Sequence, residues 1–331
     1  MKSKGFTIVE LMIAMTIGML VTALVAVVFA GSAKTYRLAE TTAELIDTGR
    51  NAMAALERDI RVAGYRGCNS NNVGGSAPVR NIIVTPTTYA DDLGTPVRVY
   101  NSTGPGVYAP ALPTAMPGIV DGSDVLVVRF PTGRVWPLTA TMASGSGDIT
   151  LATPPGVAVG SRAIVSSCSN VAAFRVSGTA GNAVQHATGA GLNSTADLGT
   201  AFDIDAVLIP YVTRAFYVGA SSSGVAGETS LYMRDEFGTA EELAENVEQM
   251  QILVGEDSDG DFVANRYRNV TAFTNFNTVM ALQIHLLTRG KRDRETSTAL
   301  TYDFAGQSVA AVDQFTRRVF TSTILLRNRT L

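Results

Sequence analysis

Residues 4–31 read KGFTIVELMIAMTIGMLVTALVAVVFAG, and the fold turns on this stretch. From Leu11 to Ala33 run 23 residues with no charge and no Pro. About 20 apolar residues cross a bilayer as a helix, so a transmembrane helix is expected here. Lys2 and Lys4 stand before the run. Cations are retained on the cytoplasmic side, which puts residues 1–5 inside the cell and the rest of the chain beyond the membrane. A cleaved secretory signal is the alternative. Phe29-Ala30-Gly31-Ser32-Ala33 supplies the small residues of such a cleavage site, but the apolar core is longer than a signal needs.

Glu10 sits at the head of the run. A lone carboxylate near hydrocarbon costs about 2.5–3.5 kcal/mol on insertion scales and calls for a partner. Lys4 can snorkel towards it. A cut between Gly5 and Phe6 offers a second partner, because Phe6 would then carry a new α-amine one helical turn from Glu10. Unlike charges attract strongly in a low dielectric.

Lys4-Gly5-Phe6-Thr7-Ile8-Val9-Glu10-Leu11 resembles the class III signal of type IV prepilins. The resemblance implies cleavage after Gly5 by a prepilin peptidase and N-methylation of Phe6. It also implies that Glu10 pairs with the terminal amine of a neighbouring subunit during filament assembly. These expectations concern the first tenth of the chain.

Residues 34–64 continue the theme. Leu38, Leu45, Ala52, Leu56, Ile60 and Ala63 recur at steps of three, four and seven, while Arg50, Glu57, Arg58 and Arg61 take other faces. That spacing builds one apolar helix stripe. No linker-like composition separates it from the membrane run, so one continuous rod ending at Gly64 is expected. From residue 65 the chain turns rich in Gly, Ser, Thr, Asn and Val. Short alternating or β-branched runs lie at 79–84, 124–130, 162–165, 206–218, 230–234, 247–254, 278–287 and 319–326. Asn101–Gly106 and Ser144–Gly147 read as loops. The pattern predicts an antiparallel β-rich head, as one large domain or two lobes. The expected fold class is α+β: a pilin-like long N-terminal helix on a β-rich head. The expected divisions are a leader at 1–5, a transmembrane helix at 6–33, its amphipathic continuation at 34–64 and the head at 65–331.

Two cysteines are present, Cys68 and Cys168. Thiols in an oxidising space usually pair, and a bridge here would pin the end of the long helix to the head. Two unpaired buried thiols are the alternative. Arg58-Asp59-Ile60-Arg61-Val62-Ala63-Gly64-Tyr65-Arg66-Gly67-Cys68 resembles the helix end of the PilW family of minor pilins. Asp121–Arg129 and Arg317–Phe320 leading into Leu325–Arg329 resemble the same family. The GspJ-like pseudopilins of secretion systems share the plan more distantly. Membership would imply work with other minor pilins and the major pilin to start pilus assembly. It would also imply a place at the filament tip, supporting an adhesin.

Other readings are narrower. Asp257, Asp259 and Asp261 alternate, with Asn265 four residues on, and hard oxygen ligands so spaced suit Ca²⁺. Arg268 stands where an EF-hand has its bidentate Glu, so this is no EF-hand, and an Asp-Gly hairpin turn is the alternative. No cofactor is otherwise required. No G-x-S-x-G, no phosphate loop and no C-x-x-C occurs, and the only histidines are His186 and His285. His285 lies in an alternating run and reads as a strand side chain. No enzyme is expected, although a membrane-anchored binding module or hydrolase remains an alternative class. The formal charge is −3, and loss of Lys2 and Lys4 makes it −3 − 2 = −5. Arg289–Arg294 clusters four basic residues around Asp293 and reads as a solvated loop rather than a nucleic-acid surface.

Overall fold

The computed structural model describes residues 7–68, 70, 78–84, 88–113, 116, 118–272, 276–291 and 298–329. Helix α1 runs Ile8–Val62, 55 residues without interruption, about 80 Å at 1.5 Å per residue. Neither Gly18 nor Gly31 breaks it. Thr22 and Thr35 donate their hydroxyls to the carbonyls of Gly18 and Gly31. Residues 8–40 project from the head, and Thr41 is the first helical residue that the head buries.

The second half of α1 is buried at Leu45, Ala52, Leu56 and Ile60, with Ala63 just beyond its end. Leu38 is only half-buried, because it lies below the point where the head begins. Gly49, Met53 and Asp59 join the buried face. Gly49 leaves room for the Phe320 ring, where an added Cβ would lie 2.2 Å from the ring. The helix stops at Val62. The Asn328 side chain donates to the carbonyls of Val62 and Ala63 at 3.3 and 3.0 Å, satisfying groups that a helix end leaves open. Gly64 then turns the chain at φ +75, and its N–H donates to the Arg129 carbonyl.

Two sheets wrap this half-helix. The large sheet runs, in spatial order, Arg80–Asn81, Val171–Arg175, Arg162–Ser166, Val207–Ala220, Val125–Pro131, Val97–Gly104 and Val107–Ala109. Thr229–Arg234 pairs with the far half of Val207–Ala220 and carries Ala240–Glu245 on its outer side. The second sheet runs Arg266–Arg268, Val247–Glu256, Val279–Arg289 and Arg317–Leu325. The main core lies between the helix and both sheets. In it Met53, Leu56 and Ile60 meet Leu126, Val128, Phe216, Ile252, Ile284 and Ile324. A separate core around Phe174, Leu198, Phe202 and Leu208 fills a lobe built largely from residues 136–208.

The sheets are stitched at Asp124. Its buried carboxylate accepts from Asn101 Nδ2 at 2.7 Å, from the Ser102 N–H at 2.8 Å and from the Ile252 N–H at 2.8 Å. Burial pushes its carboxyl up to about 6, against the pull of these donors. This junction corrects the expectation of a loop at 101–106. Asn101–Gly104 completes a strand, with a register shift between Ser102 and Gly104 before the turn into Val107–Ala109. The expected run at 79–84 yields only Arg80–Asn81, and it pairs in parallel with Ala172–Ala173, an exception to the antiparallel pattern.

Candidate assembly site

The site begins where the helix begins. Thr7 is the N-cap of α1. Its hydroxyl accepts from the Glu10 N–H at 3.2 Å, and Glu10 Oε2 accepts from the Thr7 N–H at 3.0 Å and its hydroxyl at 2.9 Å. This is a capping box, in which Ser or Thr and a Glu three residues on satisfy each other's backbone. Within the described chain, then, Glu10 draws on Thr7. Thr7-x-x-Glu10 was open to reading from sequence, since it has the spacing of that motif. Gly5 and Phe6 lie outside the described residues.

Above Glu10 the helix offers a largely apolar surface as far as Ala33. Ile8, Met12, Met15, Met19, Leu24 and Phe29 are all more than half exposed. None of the span touches the head, and it is the one described helix long and apolar enough to cross a membrane. Exposed apolar area on this scale marks contact with lipid or with other chains. At 1.5 Å per residue, residues 8–40 reach about 50 Å, more than the roughly 30 Å hydrocarbon core.

The other end of α1 is fixed to the head by several contacts. Cys68 and Cys168 are bonded, with Cα atoms 4.8 Å apart. The Tyr211 hydroxyl donates to the Tyr65 carbonyl, Ser166 Oγ to the Arg66 carbonyl at 2.6 Å, and Arg66 Nη2 to the Gly94 carbonyl at 2.7 Å. Within the helix, Asp59 is buried and paired with Arg214 of Val207–Ala220 at 2.7 Å. The Arg214 guanidinium lies over the Phe130 ring, 5.2 Å from its centroid, which adds cation–π attraction. Sequence spacing assigned the charged residues of this segment to outer faces and missed Asp59. Only the tertiary position of Arg214 explains its burial. Deeper in the head, Asp91 accepts from Arg162 and Arg175. Burial raises its carboxyl, but the hydrogen bond from Arg175 and the charge of Arg162 outweigh that, and it is held below its ordinary range.

The acidic loop is compact. Asp257, Asp259 and Asp261 bring one oxygen each within 4.8 Å of the others, the donor chemistry of a hard divalent cation. The loop is also a hydrogen-bonded turn. Asp257 accepts from the N–H groups of Asp259, Gly260 and Phe262 at 3.2, 2.7 and 3.0 Å. Burial opposes its charge, and these amides prevail, so its carboxyl is held below the usual range. Asn265 turns its oxygen to the Ser258 N–H at 2.8 Å and its amide group to Asp259 at 3.2 Å. To serve a cation it would have to flip. The histidines lie elsewhere. His285 sits in Val279–Arg289 with Nδ1 2.9 Å from the Thr321 hydroxyl, and His186 packs on Phe174 with Nε2 2.8 Å from the Gly147 carbonyl.

A helix that is half membrane span and half core, with a capped glutamate at its start and a β-rich head on its far half, defines a pilin-like protein. Residues 1–26 match the family model of the prokaryotic N-terminal methylation motif. Residues 215–328 match that of PilW, the type IV pilus-assembly protein W. Together the two matches support a type IV pilus minor pilin of the PilW kind. No curated protein and no solved structure matches it.

Proposed function

We propose that this minor pilin helps start type IV pilus assembly and remains in the complex at the pilus tip, where it supports an adhesin. In this reading prepilin peptidase cuts between Gly5 and Phe6 and methylates Phe6. The N-terminus faces the cytoplasm and the head the periplasm until the subunit enters the filament. The observation that carries the reading is the projecting half of α1: a capped Glu10 followed by exposed apolar surface and no head contact.

Glu10 supplies the assembly chemistry. The capping box satisfies its carboxylate within one subunit, so folding needs no further partner. A neighbouring subunit brings a charged terminal amine into the same apolar layer, where an unpaired charge is costly. Pairing it with Glu10 neutralises both and sets the axial register of the two helices. The other minor pilins and the major pilin are the partners this implies. Removing the gene and counting surface pili tests the role. Loss of piliation, restored by the intact gene but not by a Gly5→Val form, is expected. Normal piliation without the protein would contradict it.

A further inference from the structure

Arg317–Leu325 is the outer strand of the second sheet, and its ladder to Val279–Arg289 holds register over all nine residues without a bulge. The Leu326 N–H donates to the Met280 carbonyl, and the Gly290 N–H to the Thr316 carbonyl. In an antiparallel ladder one residue's N–H and C=O share a side, and the side alternates along the strand. The even-numbered residues therefore face the sheet. The backbone groups of Arg317, Val319, Thr321, Thr323 and Leu325 face outward, and they have no backbone partner among the described residues.

Folded proteins blunt such edges with brevity, Pro, bulges or charge. The outer strand of the large sheet, Ala240–Glu245, shows this. It is six residues long, its pairing shifts register, and it carries Glu241, Glu242 and Glu245. Arg317–Leu325 has neither Pro nor bulge. Beside it runs a groove of about 310 Å³, lined by Arg50, Met53, Ala54 and Glu57 of the helix and by Phe320–Ser322 of the strand. Glu57 is already engaged by the Ser322 hydroxyl at 2.6 Å and by Arg61 at 3.2 Å. Arg50, Arg318 and Arg327 are exposed along this edge, and none makes an ion pair with a described residue. An open edge, an apolar groove and three uncompensated cations thus lie together.

We propose that this edge takes, by strand addition, an extended acidic segment from the head of a different pilus subunit. The idea rests on the pilin reading above. Main-chain hydrogen bonds would supply affinity, and the groove and arginines would supply specificity. A second copy is the poorer occupant. Its acidic strand has Glu242 held by Ser221 and Ser222 and Glu245 held by Lys291. Joining that acidic strand to this edge of the next copy would form an open, non-closing chain, and pairing the edge with itself would bring Arg50, Arg318 and Arg327 of both copies together.

The test is photo-crosslinking in membranes of piliated cells, using the full-length protein with a photoreactive residue at Thr321. A second reporter at Met19, in the apolar span, records subunit association by itself. Expected is a crosslink from position 321 to an acidic, extended segment of a different pilus subunit. Thr323→Pro should abolish it, since that N–H serves no ladder bond within the subunit. Arg50→Glu combined with Arg318→Glu should abolish it too, with strand geometry left intact. The Met19 crosslink should persist in both variants. A Met19 crosslink with none from 321, or a 321 crosslink to another copy or one indifferent to both variants, would overturn the strand-addition proposal. Loss of the Met19 crosslink in the unaltered protein would instead strike the pilin reading.

Discussion

Replacing both Cys68 and Cys168 by Ser should destabilise the head chiefly through its unfolded state. The bridge spans 100 residues, and the chain-entropy relation gives about 4.7 kcal/mol for a loop of that size, with typical measured values of about 2–4 kcal/mol. The native state has other means of holding the helix end. The bonds from Tyr211 to Tyr65, from Ser166 to Arg66, from Arg66 to Gly94 and from Gly64 to Arg129 do not involve the sulfurs. The folded structure should therefore persist. A loss of roughly 3 kcal/mol, or about a hundred-fold in the folded-to-unfolded ratio, is expected. Urea unfolding of the purified protein reads it. The midpoint should fall and the slope should rise, because the uncrosslinked chain exposes more surface. Folding should slow more than unfolding quickens if the bridged loop is closed in the transition state. An unchanged midpoint would refute the reasoning. A loss carried wholly by faster unfolding would show that the loop closes only after the transition state.

Three further outcomes follow from side-chain geometry. Gly49→Ala should cost about 1–3 kcal/mol of head stability, as overpacking does, and Phe320→Leu should recover part of that by removing the ring the new Cβ meets; thermal melts of the single and double variants check it. Arg214→Met should cost about 1–3 kcal/mol by leaving the buried Asp59 charge with only the exposed Arg58, at 3.2 Å, as a partner, and adding Asp59→Asn should restore some of it; a double-mutant cycle by urea unfolding is the measurement. The Asp257–Asp261 turn is closed by its own amide donors, so a calcium chelator should leave the melting midpoint unchanged, whereas a rise with Ca²⁺ that Asp259→Ala removes would establish a metal site.

The long helix was legible because its chemistry is local. Span and apolar stripe follow one another along a single helix, and each can be read from neighbours within a few residues. The Thr7–Glu10 capping box was equally local and rewards the same kind of reading. The head was harder where its logic is tertiary. Asn101 looks like a turn residue, yet it sits in a strand because its side chain serves Asp124 and the Ile252 carbonyl, 23 and 151 residues away in sequence. Asp59 looks like an outer-face charge, yet Arg214, 155 residues on, makes it a buried one. The open edge of Arg317–Leu325 was illegible for a further reason. Its composition reads as an ordinary strand, and only the order of strands in the sheet leaves one side bare.

The central claim is that this chain is cleaved, methylated and built into a pilus, and its own N-terminus is the most direct witness. Mass spectrometry of the N-terminal peptide from sheared, purified pili measures it. The account predicts a low-abundance peptide that begins at N-methylated Phe6 and contains Glu10. A mature terminus near Ser32 or Ala33, or a chain that keeps Lys2 and Lys4 and is found only in membranes, would contradict it.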